Sequence, residues 1–263
     1  MKRPLRILLF LVVLPALVAA YARWIEPAWL AVETYTIEGD VTRPLRVAFV
    51  GDLHASKFDG ITEAAAAAVV AAKPDLVLLG GDLVHARGDR EPVERFIAAL
   101  PSAPLGIYLV TGNWEYWALG TSVERFYRPD PGRWLVNTAT TVRDDVTIVG
   151  LDDFTGGRPD PRFVTTRADA PGFAIGLLHS PGGIGPLVGK VDLVLAAHTH
   201  GGQVRVPFYG ALVTPPGSGD YDAGWYERGA TRVFVTRGVG TSIYDVRLFC
   251  RPEVAIIDVV PRH

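Results

Sequence analysis

Short apolar runs alternate with helical or turn-rich segments from Leu45 onward, and most of these runs end in Gly, Asp, Asn or His. Runs of this kind, bounded by turn residues, are typical of buried strands, whereas the alanine-rich stretch ITEAAAAAVVAA before Lys73 and Pro74 favours a helix. The pattern therefore predicts one α/β domain over residues 41–263. The predicted strands are LRVAFVGD, DLVLLGGD, IYLVTGN, TIVGLDD, FAIGLLHS, VDLVLAAHTH, TRVFVTRG, VRLFC and EVAIIDVV, the last three of which could form a second sheet.

The N-terminus has a different pattern, because the basic stretch MKRPLR precedes an apolar run from Ile7 to Ala20. This order is typical of a secretory signal or a signal anchor. The run extends to Ala22, and Trp24 and Trp29 follow where the aromatic belt of a membrane helix would lie. We therefore expect residues 1–22 to be an uncleaved anchor. The alternatives are a signal cleaved after Ala22, which would give a secreted protein, and a buried helix.

Basic residues that precede a membrane helix stay on the cytoplasmic side. The rest of the chain is therefore expected on the outer, periplasmic or extracellular, face of the cytoplasmic membrane, with residues 23–40 as a lead-in segment to the domain.

Composition argues against nucleic acid as a partner, since 26 Lys and Arg against 28 Asp and Glu provide no broad basic field. The only cysteine, Cys250, excludes an internal disulfide and a thiolate metal cluster.

Side chains that can bind metal ions follow the predicted strands. They are Asp52, His54, Asp82, Asn113, His179, His198 and His200. The carboxyl ends of strands in an open α/β sheet meet at one crevice, so residues distant in sequence can converge there. Two pairs, Asp52 with His54 and His198 with His200, are spaced by two residues, which places both side chains on one face of an extended segment. Each pair could therefore bind one ion.

Carboxylate and imidazole ligands without thiolate suit Mn²⁺, Fe or Zn²⁺ better than Ca²⁺. Seven ligands exceed the needs of one tetrahedral ion. If Asp82 bridges two ions, one set consists of Asp52, His54, Asp82 and His200, and the other of Asp82, Asn113, His179 and His198. A two-metal centre can hold a bridging hydroxide as nucleophile and orient a phosphate, which indicates phosphoester hydrolysis. A mononuclear metallohydrolase is the alternative, but it leaves the second set without a purpose.

The motifs GDLH, GGDLV, GNWE, LLHSP and AHTHGGQ occur in an order that resembles the calcineurin-like metallophosphoesterase superfamily. The resemblance covers residues 45–260 and is closest to a membrane-anchored, phosphodiesterase-like bacterial branch, through HTHGGQVRVPFYGAL, TRGVGTS and VRLFCRPEVAII. It implies a four-layer αββα sandwich of two mixed sheets with a dinuclear metal site at the strand ends. It assigns the same seven ligands, with Asp82 as the bridge, and gives Asp82, Asn113 and His198 catalytic roles through the metals.

The sequence departs from that superfamily at Trp114, where the usual pattern has a His that protonates the leaving oxygen or stabilises the transition state. An indole N–H donates a hydrogen bond but transfers no proton. The leaving group could need no acid, as in a phosphodiester or a pyrophosphate, which is the reading we favour. Another group could replace the acid, with His85, Glu115 and Tyr116 as candidates. Alternatively, the chain could be a non-catalytic metal- and phosphate-binding protein of the same fold.

Aromatic residues near the predicted site bear on the substrate. Together with the anchor, an apolar surface formed by Tyr116, Trp117, Trp134 and Phe154 would suit a lipid or nucleotide-linked lipid phosphate, although core packing is the alternative. Arginines in predicted loops could bind a phosphate or a headgroup, although such residues are more often solvated. They are Arg87, Arg90, Arg133 and Arg158.

Overall fold

Two mixed β-sheets pack face to face and carry helices on one outer side. The computed structural model describes residues 3–58, 60–85, 88–127, 133–164 and 172–262. The α-helices are α1 (Arg3–Ala20), α2 (Gly60–Ala72), α3 (Arg90–Ala99), α4 (Asn113–Leu119) and α5 (Val123–Tyr127). The strands are β1 (Ala31–Gly39), β2 (Leu45–Val50), β3 (Leu76–Leu79), β4 (Ile107–Leu109), β5 (Thr138–Arg143), β6 (Val146–Gly150), β7 (Phe173–Leu177), β8 (Leu193–Ala196), β9 (Arg205–Val206), β10 (Gly210–Ala211), β11 (Gly224–Arg228), β12 (Thr231–Val235) and β13 (Glu253–Pro261).

The strand order of the first sheet is β1-β13-β2-β3-β4, and that of the second sheet is β11-β12-β8-β7-β6-β5. In the first sheet β13 is antiparallel to β2, and the other neighbours are parallel. In the second sheet the inner pairs are parallel and both edge pairs are antiparallel. A two-stranded ribbon of β9 and β10 lies outside both sheets. The parallel strands are the elements that carry the predicted metal ligands at their carboxyl ends.

Apolar side chains fill the space between the sheets, where Phe49 of β2 lies against Phe234 of β12 with ring centroids 6.5 Å apart. The strands at the centre of each sheet are buried on both faces, which explains why their sequences are continuously apolar rather than alternating. The outer face of the first sheet is covered by α2 and α3, through residues such as Val69 and Phe96. Burial of this apolar surface is the main force that holds the layers together.

The α/β fold with two mixed sheets is confirmed. The outer face of the second sheet is not covered by α-helices in the part of the chain that the structure describes. Two 3₁₀ turns, Pro181–Gly183 and Gly185–Leu187, pack on it instead. Leu187 and Val191 pack there against Val194 of β8. Glycine and proline in these turns favour short turns over a regular helix.

The prediction for the last three strands was wrong in two respects. Segment VRLFC is not a strand; Leu248 forms an isolated bridge with Val204. A regular ladder cannot continue there, because the backbone N–H groups of Phe249 and Cys250 donate to the buried carboxylate of Glu26. The other two segments join different sheets, as β12 lies in the second sheet and β13 in the first.

The predicted lead-in, residues 23–40, contains β1, which pairs in parallel with β13 from Ala31 opposite Glu253 to Gly39 opposite Pro261. This part of the lead-in is therefore an edge strand of the first sheet. The preceding α1 continues through a π turn and a 3₁₀ turn to Ala28. Among the described residues, the stretch Leu11–Ala28 is long and apolar enough to cross a membrane, a property that it shares with signal sequences.

Candidate metal centre

Five strands of the two sheets place their carboxyl ends at one edge of the sandwich, and all seven predicted ligand residues lie there. Asp52 and His54 follow β2, Asp82 follows β3, and the remaining residues follow β4, β7 and β8. All seven side chains are buried. The sequence separation between the first and the last of them is 148 residues, so this cluster exists only in the folded chain.

Asp52, His54 and His200 form the first group, in which one ligand atom of each residue lies within 4.8 Å of the others. The Nε2 atoms of the two imidazoles face each other at 3.0 Å. One carboxylate oxygen of Asp52 accepts the backbone N–H of His198 at 2.9 Å, whereas its Oδ2 is buried with no hydrogen-bond partner. A buried carboxylate oxygen without a partner is unfavourable unless a cation compensates it. The group therefore fits a metal ion.

Asp82, His179 and His198 form the second group, in which one ligand atom of each residue also lies within 4.8 Å of the others. His179 Nε2 lies 3.2 Å from Asp82 Oδ2, 3.2 Å from His198 Nδ1 and 3.1 Å from Asn113 Oδ1. Four potential ligand atoms thus point to one place.

Backbone carbonyls fix the tautomers of the second group. His179 Nδ1 donates to Gly80 O at 2.8 Å, and His198 Nε2 donates to Pro216 O at 2.8 Å. Each of these bonds leaves the other ring nitrogen with its lone pair directed into the centre, which is how metal-binding imidazoles are usually oriented. The second group therefore also fits a metal ion.

Asp82 lies between the two groups. Its Oδ2 is 3.2 Å from His179 Nε2 and 3.5 Å from His54 Nε2, while its Oδ1 accepts the backbone N–H of Trp114 at 2.8 Å. One carboxylate oxygen thus faces both groups. Gly112 allows this close approach, because a side chain there would collide with the Asp82 carboxylate.

The backbone of the centre corrects one expectation from the sequence. Five of the seven residues adopt left-handed backbone conformations, which non-glycine residues rarely do and which cost about 1–3 kcal/mol each. These residues are Asp52 (φ 50°), His54 (φ 43°), Asp82 (φ 51°), His198 (φ 71°) and His200 (φ 51°). The pairs spaced by two residues are therefore in tight turns and not on extended segments. Because of these turns, Asp52 and His54 stay in one group, but His198 and His200 belong to different groups.

Burial keeps the two imidazoles of the first group neutral, which is the state in which an imidazole binds a cation. It lowers the pKa of His54 to about 4 and, with the facing His54, lowers that of His200 well below its usual value. Burial, together with the nearby Asp82 carboxylate, also raises the pKa of Asp52 to about 7, although His179 and Arg247 oppose this shift. Neutral imidazoles beside a poorly compensated carboxylate form an environment in which a divalent cation is favoured.

The second group contains an ion pair. Burial opposes ionisation of Asp82, but the adjacent His179 and His54 imidazoles outweigh it and lower its pKa. Burial likewise disfavours the charged form of His179, but Asp82 outweighs it and raises the pKa of this imidazole well above its usual value. The negative charge of Asp82 thus favours a positive charge at the place where four ligand atoms converge; a bound cation would supply it and leave the lone pair of His179 Nε2 free to bind.

Trp114 packs against the first group and does not point its indole away from it. Its ring lies edge-on to that of His54, with centroids 5.1 Å apart. His85 stacks on the indole with ring centroids 5.5 Å apart, and its own centroid lies 5.9 Å from that of His54. The Nδ1 atom of His85 is buried without a partner. Trp114 is therefore a wall of the centre, and His85 is an imidazole close to it.

Glu115 has a supporting role that the sequence did not suggest. Its carboxylate accepts backbone N–H groups of Asp82 at 2.9 Å, Leu83 at 2.7 Å and Gly112 at 2.7 Å, and the Tyr127 hydroxyl at 3.1 Å. Both oxygens are thus occupied, which argues against Glu115 as a proton donor. The available signal was its position in GNWE, where a Glu at the third helical residue often caps the helix start.

Arg247 is a second residue that sequence reasoning missed. Its guanidinium is fully buried and donates to the carbonyls of Arg237 at 2.9 Å, Gly238 at 3.2 Å and Cys250 at 3.0 Å. A side chain at Gly238 would lie 2.5 Å from Cβ of Asp52, so the segment held by Arg247 packs directly on this ligand residue. No local pattern in the sequence indicates such a contact.

The aromatic residues predicted to form an apolar surface have mixed positions. Trp117 and Phe154 are exposed. Tyr116 is partly buried and donates its hydroxyl to Asp152, which argues against its role as the missing acid. Trp134 is partly buried and stacks on Tyr127.

A cleft of about 560 Å³ borders His54 and His85. Lys57, Thr241 and Asp245 line its polar part. Its size allows a substrate group larger than phosphate to lie beside the centre.

Among the loop arginines considered from the sequence, Arg90 pairs with Glu94 on α3, and Arg87 lies outside the described residues. The backbone N–H of Arg158 donates to Asp152 at 2.7 Å. Among the described residues that line the cleft, Lys57 is the one that carries a basic Lys or Arg side chain.

Comparisons with known proteins agree with this geometry. The family profile described as "Calcineurin-like phosphoesterase" matches residues 45–202. "Uncharacterized metallophosphoesterase YkuE" of Bacillus subtilis is 28% identical over 253 residues, which cover 90% of this chain and 87% of that protein. "Phosphodiesterase YaeI" of Escherichia coli is 30% identical over 260 residues, covering 91% and 92%. "UDP-2,3-diacylglucosamine pyrophosphatase LpxG" of Chlamydia muridarum is 24% identical over 274 residues, covering 81% and 83%.

Proposed function

Because the chain belongs to the calcineurin-like phosphoesterase family, we propose that this metallophosphoesterase hydrolyses a phosphodiester or a pyrophosphate rather than an alkyl phosphomonoester. The observation that carries the proposal is the packing of Trp114 on His54, at the position where the superfamily pattern has a proton-donating His. Two relatives support the substrate class, since YaeI is named a phosphodiesterase and LpxG a pyrophosphatase.

The proposed ligands of the first ion are Asp52, His54, Asp82 and His200, and those of the second are Asp82, Asn113, His179 and His198. Mn²⁺, Fe or Zn²⁺ suits this set of carboxylate, amide and imidazole ligands. When bound, the two ions would lower the pKa of the attacking water and stabilise the negative charge of the phosphate. Asp82 is the proposed bridge, because its Oδ2 faces imidazoles of both groups.

The protein's own residues prepare this reaction in three ways. The carbonyls of Gly80 and Pro216 orient the imidazoles of His179 and His198, so that their free nitrogens are in place before a substrate arrives. Trp114 forms a wall on one side of the first group and itself supplies no proton for the leaving oxygen. A leaving group of low pKa departs as an anion and needs no such proton, which is the case for a nucleoside phosphate or an acidic ester.

His85 is the remaining candidate for a general acid, since it lies beside His54 and borders the cleft. Glu115 and Tyr116 are poorer candidates because both are engaged in hydrogen bonds away from the cleft. The presence of all seven ligand side chains argues against the non-catalytic alternative considered from the sequence.

We extend the proposal to a lipid-linked or nucleotide-linked lipid phosphate and to an anchored protein. Residues 1–22 are the proposed anchor, residues 41–263 the catalytic domain, and the outer face of the cytoplasmic membrane its location. Two observations support this: α1 is apolar after Arg3 and Arg6, and Pro27, in the 3₁₀ turn that follows α1, lines the cleft beside His54. A C-terminal reporter fusion tests the topology, since activity of a periplasm-specific reporter is expected and activity of a cytoplasm-specific reporter would contradict it.

The reaction is tested by comparing bis(p-nitrophenyl) phosphate with p-nitrophenyl phosphate after loading with Mn²⁺, Fe²⁺ or Zn²⁺. We expect faster turnover of the diester and loss of both activities in Asp82→Asn, which removes the proposed bridge. Faster turnover of the monoester, abolished by the same substitution, would contradict the proposed substrate class while leaving the metal centre intact.

A further inference from the structure

We propose that an exposed apolar surface docks on a lipid bilayer beside residues 21–28, the two turns that follow α1 and are called here the base of α1. The docking surface consists of Phe208, Tyr209, Ile243, Tyr244 and Phe249, all of which are exposed. Phe208, Tyr209 and Phe249 line one shallow hollow, so these three side chains are neighbours. Contiguous exposed apolar residues of this kind mark interaction sites in folded proteins.

The segment that carries Phe249 is fixed to the base of α1. The backbone N–H of Arg247 donates to Ala22 O at 2.9 Å, and that of Phe249 donates to the carboxylate of Glu26 at 3.0 Å. Glu26 is buried, so these bonds are shielded from water. Phe249 is therefore held next to the base of α1.

The β9–β10 hairpin is attached to the same segment. Arg205 N donates to Leu248 O at 2.9 Å, and Leu248 N donates to Gln203 O at 2.9 Å. The side-chain amide of Gln203 donates to Tyr244 O at 2.8 Å. Phe208 and Tyr209, at the tip of the hairpin, are thus held in one rigid unit with Tyr244.

The proposed occupant is a bilayer because the surface continues an element that fits one. Leu11–Ala28 has the length and hydropathy of a membrane span, and it ends where the docking surface begins. Trp24 and Trp29 are exposed at this junction, as expected for residues in the interfacial belt. With α1 in a bilayer, the docking surface meets the same interface and inserts by about 5–10 Å, the depth at which interfacial apolar faces are buried.

The arrangement has a consequence for the metal centre. Pro27, Thr241 and Asp245 line the cleft that borders His54, and all three lie next to the docking surface or the base of α1. Docking would therefore place the opening of the cleft at the level of the lipid headgroups. The docking itself does not depend on which phosphate ester is cleaved.

The test uses the full chain reconstituted in vesicles of phosphatidylcholine and phosphatidylglycerol. Phe208→Cys and Ile243→Cys are each labelled with an environment-sensitive fluorophore. Wild type is the labelling blank, because its only cysteine is buried. Leu17→Cys reports on α1, and Val188→Cys, exposed on the turn that covers the second sheet, is the matched control.

We expect labels at 208 and 243 to shift to shorter emission wavelengths and to lose about half of their emission to nitroxide-bearing lipids, as interfacial burial implies. The label at 188 should remain unquenched. Absence of quenching at 208 and 243 while Leu17→Cys is quenched would overturn the proposal, as would absence of quenching at Leu17→Cys. Shielding at 208 and 243 that depends on protein concentration and not on vesicles would assign the surface to a second copy of the chain.

Discussion

The indole of Trp114 packs edge-on against the imidazole of His54, with ring centroids 5.1 Å apart and an interplanar angle of 88°. His85 stacks on the same indole at an interplanar angle of 10°. These contacts hold His54 in the orientation that directs Nε2 towards His200. Trp114 thus supports the metal centre by packing and provides no proton for a leaving group.

Trp114→His should accelerate hydrolysis mainly for substrates with poor leaving groups. General acid catalysis contributes about 10²–10⁴-fold, and only leaving groups of high pKa need it. The measurement is kcat for a series of phosphodiesters of graded leaving-group pKa, each under saturating metal. We expect a gain of about tenfold or more at the poor end of the series and little change at the good end.

Trp114→Phe is the matched control, because it keeps an aromatic ring against His54 and should leave the dependence on leaving-group pKa unchanged. A uniform gain in Trp114→His would instead indicate electrostatic stabilisation of the transition state. His85→Asn tests the remaining explanation, in which His85 is the general acid. A steeper dependence of kcat on leaving-group pKa in that variant would assign the acid role to His85.

Glu115→Gln should destabilise the fold although the residue is not a proposed metal ligand. The amide cannot accept at both positions, so the N–H groups of Leu83 and Gly112 compete for one oxygen. A buried backbone N–H that loses its acceptor costs about 1–3 kcal/mol of unfolding free energy. Urea denaturation measures this value, with Glu63→Gln on the exposed side of α2 as the control, expected within about 0.5 kcal/mol of wild type. Equal stability of the two variants would contradict the supporting role.

Asp145→Asn should destabilise the protein near neutral pH but not in strong acid. Partial burial opposes ionisation of Asp145, but hydrogen bonds from Arg143 and Thr42 outweigh it and lower the pKa of Asp145 to about 2. Since this pKa is below the unfolded value of about 3.8, the stabilisation is complete above about pH 4 and is lost as the pH falls towards 2.

The check for this prediction is the difference in unfolding free energy between wild type and Asp145→Asn at several pH values. We expect a difference of about 1–3 kcal/mol at pH 7 that shrinks below pH 4. A difference that stays constant across this range would show that the Asp145 carboxylate charge does not stabilise the fold.

The parts of the site that the sequence predicted are those encoded locally. Each proposed ligand residue lies within four residues of the end of an apolar strand, and the rule that parallel strands end at one edge brings such residues together. The left-handed backbone of Asp52, Asp82 and His198 was not predictable in this way, because contacts across the two sheets stabilise it. For this reason, the extended-strand argument misplaced His198 and His200 in one pair.

The features that the sequence missed depend on distant partners. Strand β1 has polar residues at alternate positions, and its identity follows from pairing with β13, more than 200 residues away. Arg247 looks like an ordinary charged residue until the carbonyls of Arg237 and Gly238 surround it. Local patterns therefore predicted the chemistry of the centre better than the contacts that hold it in place.

The proposed reaction depends on two ions with Asp82 between them, and metal stoichiometry is the direct test of this arrangement. The full chain is stripped with a chelator and reloaded stepwise, with metal content and phosphodiester hydrolysis measured on the same samples. We expect activity to reach its maximum at two bound ions per chain, since both groups of ligands are needed. Full activity with one bound ion per chain would contradict it.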